Sequence, residues 1–176
     1  MARVFGVSQS YHAKRLRNSG SVRGGETVLE GRTMPARMQP GADLRGVNLL
    51  RANLENVNLT EADATWAILT RANLDRAQLI GTILRGAGLL ETSLQGADLR
   101  GADLRGASLR RANLREANLR HAKLSGATLE GACLCGADLT HADIQDTAFA
   151  NARYDATTTL PAGLDVVAAG IVLVLP

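Results

Sequence analysis

Residues 97–126 read ADLRG ADLRG ASLRR ANLRE ANLRH AKLSG, and each pentad sets a small residue two positions before a leucine. The rhythm extends well beyond this stretch. From Leu44 to Tyr154 an aliphatic or aromatic residue recurs at every fifth position, 23 in all, interrupted only at Ala64. Nineteen are Leu, and Ile144, Phe149 and Tyr154 close the series. The small slot holds Ala in eighteen repeats, Val at Val47 and Val57, and Thr at Thr82, Thr92 and Thr147. A period of five matches neither the 3.6 of a helix nor the 2 of a strand, which excludes an ordinary amphipathic helix and a flat sheet. Leucine-rich helical arrays and coiled coils need other periods. A unit this short cannot bury its own apolar side, so successive copies must stack into one continuous core.

If the small residue and the Leu point inward, the other three residues of each pentad face outward. Leu then fills the axis, and Ala, with only a methyl group, fits where the chain bends inward. The many Asp and Asn that precede the Leu are turn formers, because their side chains hydrogen-bond nearby backbone. The repeats resemble the pattern A(D/N)LXX of pentapeptide repeat proteins over residues 42–156. That resemblance implies an all-β, right-handed quadrilateral β-helix with four pentads per coil. At twenty residues per coil the array holds between five and six coils. Coils paired like parallel strands about 4.8 Å apart make a rod about 27 Å long.

Three segments are expected: a basic tail or coil-capping segment over 1–40, the array over 41–156 and a cap over 157–176. Residues 1–40 carry seven Lys or Arg against Glu26 and Glu30, with no acid at all before Glu26. Ser8, Ser10, Ser19 and Ser21 lie among the arginines, a composition shared by organelle transit peptides, flexible basic tails and extensions upstream of a start at Met34 or Met38. We read no secretory signal and no membrane span, so the expected compartment is cytoplasmic, with organelle targeting as the alternative. Beyond Tyr154 the register is expected to stop. Pro161 and Gly163 mark a turn, Leu164 to Ala169 one or two helical turns, and Ile171 to Leu175 a short buried strand or apolar plug. An open solenoid end needs such a cover. The ending also resembles the Y-D-x-x-T-x-x-P-x-G-x-D-x-x-A-A-G tail of many cyanobacterial pentapeptide proteins, with Leu160 and Leu164 where those often carry Trp and Phe. The chain is expected to be a monomer, or a dimer joined through this cap.

Charge is uneven: about +5 in residues 1–40 and, from 13 basic against 14 acidic residues, −1 over 41–156. Members of the resembled family that act on DNA gyrase are thought to imitate duplex DNA, which requires a long acidic surface. Here Arg45, Arg85 and Arg105 share one ladder, and Arg85, Arg100, Arg105, Arg110, Arg111, Arg115 and Arg120 form a basic belt. The belt is either an anion or nucleic-acid site or a solvated surface paired locally, as the ladder Arg71, Glu91, Arg111 and the pair Arg110, Glu130 suggest.

A second constellation is apolar. Trp66, the single Trp, occupies an outward slot beside Ala64, and Ile68, Leu50, Leu90, Ile80 and Ile83 are outward nearby. This is either an interface centre or a local repair, with Trp66 folded over the dent at Ala64 or packed on the N-terminal segment. Cys133 and Cys135 straddle Leu134 and should both face solvent, their positions about 6.5–7 Å apart, at or past the disulfide limit. One C-x-C without further ligands is a weak metal motif. His121 and His141 share a column near Asp138 and Asp143, and a surface repeat position explains them. No nucleophile with base and orienter and no phosphate loop is present, so no catalysis and no cofactor are expected. The reading is a non-enzymatic scaffold for an unidentified protein partner, with a DNA-mimic topoisomerase modulator and an anion or nucleic-acid binder as alternatives.

Overall fold

The computed structural model describes residues 38–175; the expectations for the basic N-terminal segment lie outside them. The chain winds as a right-handed quadrilateral β-helix. Parallel pairings join each residue to the one twenty positions on: Asp43 to Asp63, Asp63 to Ile83, Ile83 to Asp103, Asp103 to Lys123 and Lys123 to Asp143 climb the first face. The second, third and fourth faces begin with Asn48 to Ile68, Asn53 to Asn73 and Asn58 to Gln78.

One pentad shows why the sequence takes this path, since each of its five amides finds an acceptor. The Ala102 N–H closes a turn on the Leu99 carbonyl at 3.0 Å, Asp103 donates down to Thr82 at 2.9 Å, and Leu104 donates up to Lys123 at 2.8 Å. Gly106 donates up to Ser125 at 3.1 Å. The ladder leaves out only the Arg105 amide, and Asp103 Oδ1 accepts it at 3.3 Å. The residue before Leu is therefore so often Asp or Asn because its side chain satisfies the one donor that stacking cannot reach. Asn48, Asn58, Asp63, Asn73, Asn118 and Asp138 repeat the arrangement.

Every corner closes through a residue of positive φ two places after the Leu. Glycine supplies many of these, but Arg51, Glu61, Trp66, Arg71 and His121 also adopt φ of 56–58°. For a residue with a Cβ this conformation costs about 1–2 kcal/mol, and the two hydrogen bonds of each corner must offset it.

Leu and Ala line the axis as expected, with Leu54, Leu89, Leu104 and Leu109 fully buried. Thr82 and Thr92 occupy methyl-sized slots without an unsatisfied group, because their hydroxyls donate to the Leu59 and Leu69 carbonyls one coil below at 2.7 Å. The expected end of the register at Tyr154 is corrected. One residue is inserted, so that Asp138 pairs with Thr159. Thr158 takes the small slot and donates to the Leu134 carbonyl at 3.0 Å.

Asp155 pins the insertion. Its Oδ1 accepts from the Thr157 hydroxyl at 2.6 Å, the Thr157 and Gly136 amides at 2.9 and 3.2 Å, and the Thr158 hydroxyl at 3.1 Å. The Thr157 hydroxyl leads the causes that hold this carboxyl down at about 2. Asp165 then opens the expected helical turn, accepting from the Val167 and Ala168 amides at 3.0 Å, and Ala169 donates back to its carbonyl at 2.9 Å. Two short strands finish the fold, β1 (Arg153–Tyr154) and β2 (Val172–Leu173), paired in parallel. The expectation of a buried terminal strand holds only for Ile171. Val172, Leu173, Val174 and Leu175 are exposed, since this last rung has a coil beneath it and no described residue above it.

Candidate interaction surfaces

Trp66 stands at the corner between the first and second faces, in positive φ and 69% exposed. Its ring lies against Gly86, one coil on: a Cβ built at Gly86 would fall 2.2–2.6 Å from three ring carbons. Glycine at 86 is therefore what admits the indole. The ring covers the corner at Gly86, and Ala64 is buried at 2%.

Around the corner, Ile68 and Leu90 are 45% and 37% exposed on the second face, with Leu50 half-buried in the same column as Leu90. Ile83 lies half-buried on the first face. Ile80 belongs to the fourth face and is set apart from this group by the 20-residue register. The structure thus places Trp66, Leu50, Ile68 and Leu90 along one corner and its adjoining face.

One feature of this region escaped the sequence reading. Ile68, Gln78, Ile83 and Gly88 stand where many other pentads have Asp or Asn, as do Ser108, Lys123, Thr128, Cys133 and Ala148 further up the rod. The amides of Thr70, Ile80, Arg85 and Leu90 consequently make no hydrogen bond among the described residues. The absent Asp or Asn was the signal, visible once the fifth donor of each pentad is counted.

The arginine belt does encircle the rod, and most of it is paired. Arg100 meets Asp98 at 2.6 Å, Arg105 meets Asp103 at 2.5 Å, Arg110 meets Glu130 at 3.2 Å and Arg120 meets Asp138 at 3.0 Å. Glu91 lies between Arg71 at 2.6 Å and Arg111 at 3.6 Å, as the alternating ladder suggested. Hydrogen bonds from Arg100 and Arg105 hold the carboxyls of Asp98 and Asp103 below the usual range. Arg85 and Arg115 have no carboxylate within 4.0 Å among the described residues. A shallow depression of ≈ 350 Å³ lined by Leu90, Glu91, Ser108, Arg110 and Arg111 joins the apolar corner to the belt.

The remaining candidates change character. Cys133 and Cys135 do not face solvent: they are free thiols, 5% and 4% exposed, with sulfurs 3.5 Å apart. In register Cys133 lies between Asn113 and Arg153, and a short side chain flanked by longer ones is covered even in an outward slot. Burial pushes the Cys135 thiol up, with its hydrogen bond to Cys133 adding to the effect; such thiols are poor nucleophiles. The His121 and His141 rings stack with centroids 5.0 Å apart. Among the described residues no three His, Cys, Asp or Glu are grouped to hold a metal ion, and no helix is long and apolar enough to cross a membrane.

The family described as pentapeptide repeats matches in overlapping segments, residues 41–76, 72–111, 92–131, 102–140 and 117–153. The crystal structure of alr5209, a pentapeptide repeat protein from Nostoc Pcc 7120, is 37% identical, with a TM-score of 0.57, over 57% of this chain and 84% of that one. HetL, a pentapeptide repeat protein involved in heterocyst differentiation regulation in Nostoc sp. strain PCC 7120, is 36% identical, with a TM-score of 0.43, over 63% of this chain and 59% of that one. QnrB1, a plasmid-mediated fluoroquinolone resistance protein, is 21% identical, with a TM-score of 0.36, over 76% of this chain and 78% of that one. No curated protein matches.

Proposed function

Since the chain belongs to the pentapeptide repeat family, we propose that it works as a non-catalytic post whose outward slots present a patterned surface to a protein partner. The observation that carries this reading is the division of each pentad. The inward pair is Leu with Ala, Val or Thr almost throughout and is buried, while the outward three vary. A filled axis offers no chamber for substrate, and what distinguishes one coil from another is laid out on the exterior.

The test has four arms with the purified chain. Reconstitution with a partner identified by affinity capture should give a defined complex that weakens in Trp66→Ala. Specific hydrolysis or group transfer by the chain would overturn the reading. The DNA-mimic alternative would instead appear as inhibition or protection in a supercoiling assay with purified gyrase. The nucleic-acid alternative would appear as retention on duplex DNA that falls steeply with salt.

A further inference from the structure

We infer that the Trp66 corner is the docking site of this post, and that it takes an acidic protein segment carrying apolar anchors; the inference rests on the scaffold reading above.

The corner keeps its two backbone hydrogen bonds, from Trp66 to the Arg85 carbonyl and from Ala67 to the Ala64 carbonyl, and turns an indole outward. Trp66 holds a left-handed backbone conformation that a bulky residue rarely adopts. Its ring lies against Gly86, and among the described residues Trp66 is 69% exposed. Aromatic residues presented rigidly beside exposed aliphatics are the usual anchors of protein interfaces. Ile68 and Leu90 extend the apolar strip along the second face. The bare amides of Thr70, Arg85 and Leu90 lie beside it. In pentads that carry Asp or Asn at this slot the same amide donates to a side-chain oxygen reaching over the outer surface, so these three are donors open to whatever covers the strip.

Charge selects the occupant. The first and second faces of the first four coils, residues 42–51, 62–71, 82–91 and 102–111, carry seven Arg and four acids, net +3. The third and fourth faces of the same coils, residues 52–61, 72–81, 92–101 and 112–121, carry four Arg and five acids, net −1. On the basic side the acids Asp63, Glu91 and Asp103 already lie within 4.0 Å of arginines, while Arg51 and Arg85 have no such partner among the described residues. Open amides and unneutralised guanidinium groups around an apolar strip fit carboxylates flanking apolar side chains. The chain's own residues 1–37 fit poorly, since they are strongly basic. A nucleic acid could stack one base on Trp66, but Ile68 and Leu90 offer it no second aromatic platform.

As the single Trp, Trp66 reports directly on its own surface. Random peptides displayed on phage are selected against the full-length chain, with Trp66→Ala as counter-selection, and the winners are synthesised. The expected winners have net negative charge and at least two apolar residues. They should shift Trp66 emission to the blue and bind about tenfold more weakly to Ile68→Asp and to the double variant Arg51→Glu, Arg85→Glu. Neutral or basic winners would overturn the inference. So would stronger binding of single-stranded oligodeoxythymidine than of any peptide. Winners that bind Trp66→Ala equally well would also overturn it while leaving the scaffold reading standing on another face. Thermal melts verify that the variants, all in outward slots, remain folded.

Discussion

Coils one turn apart in the same rod differ in what they invest in themselves. In residues 97–121 nearly every outward slot serves the fold: Asp98, Asp103, Asn113 and Asn118 cap the spare amide, and Arg100 and Arg105 clasp the carboxylates beside them. In residues 62–91 four of six such caps are missing, the corner residue is Trp, and the axis holds Ala64 in place of Leu. Both stretches keep the same 20-residue register. The backbone is therefore held by the inward pair and the ladder, and the outward caps can be surrendered locally without loss of fold. Surfaces that give up self-contacts are where a repeat protein has room for a partner.

The sharpest way to break this comparison is at the axis, which both stretches share. Leu104→Ala and Leu109→Ala should each cost about 2–5 kcal/mol by opening a cavity in a fully buried stack, read from denaturant melts. A cost near zero would mean the leucines do not hold the coils together.

Next in size is Gly86→Ala. The added methyl would enter the indole ring and sit at a φ of +61°, so it should cost about 1–3 kcal/mol and move Trp66 emission toward that of free indole in water. In a Trp66→Gly background the steric part should vanish, and a double-mutant cycle measures it.

Smaller again is the exchange of caps. Asn113→Ala should lose about 0.5–1.5 kcal/mol. Gly88→Asn, where an added Cβ meets nothing nearer than 3.9 Å, should gain a similar amount by satisfying the Leu90 amide. If both changes were neutral, the spare donor would be equally content with water, and the bare corners would carry no information.

The smallest effect is confined to the last coil. The Asp155 carboxyl is held at about 2, below the 3.8 it has without partners, led by the Thr157 hydroxyl. A depressed carboxyl contributes stability above its unfolded value, lost as pH falls from about 4 toward 2. The protection of the Gly136 amide, its exchange measured against the intrinsic rate at each pH, should fall over that window in the native chain and be low at both ends of it in Asp155→Ala, while Leu104 protection stays unchanged.

The inward faces were legible because sterics at an axis admit few residue types, and a five-residue beat of Leu and Ala states that restriction openly. The Asp and Asn slots were legible for a similar reason, as local turn chemistry. Outward slots were harder. Slot counting assigns Cys133 and Cys135 to the exterior, but whether a short side chain is wet depends on neighbours twenty residues away. The insertion at the end was hidden by Thr157, Thr158 and Thr159, three identical side chains of which the fold uses the middle one to fill the small slot. Ile80 looked like a neighbour of Trp66 along the chain, yet the corner between them turns it onto a different side of the square.

The slipped register at Asp155 says something about how this molecule can change length. An extra residue anywhere between 42 and 153 would turn every later leucine outward, and the error would propagate through all coils above it. At Asp155 the slip is absorbed by four hydrogen bonds to one carboxylate, and the register resumes one residue later at Thr158 and Thr159. Growth of such a rod by duplication is thus quantised in pentads, or whole turns of twenty where each face must keep its partners. A single-residue change needs a pin such as Asp155 to restore the phase.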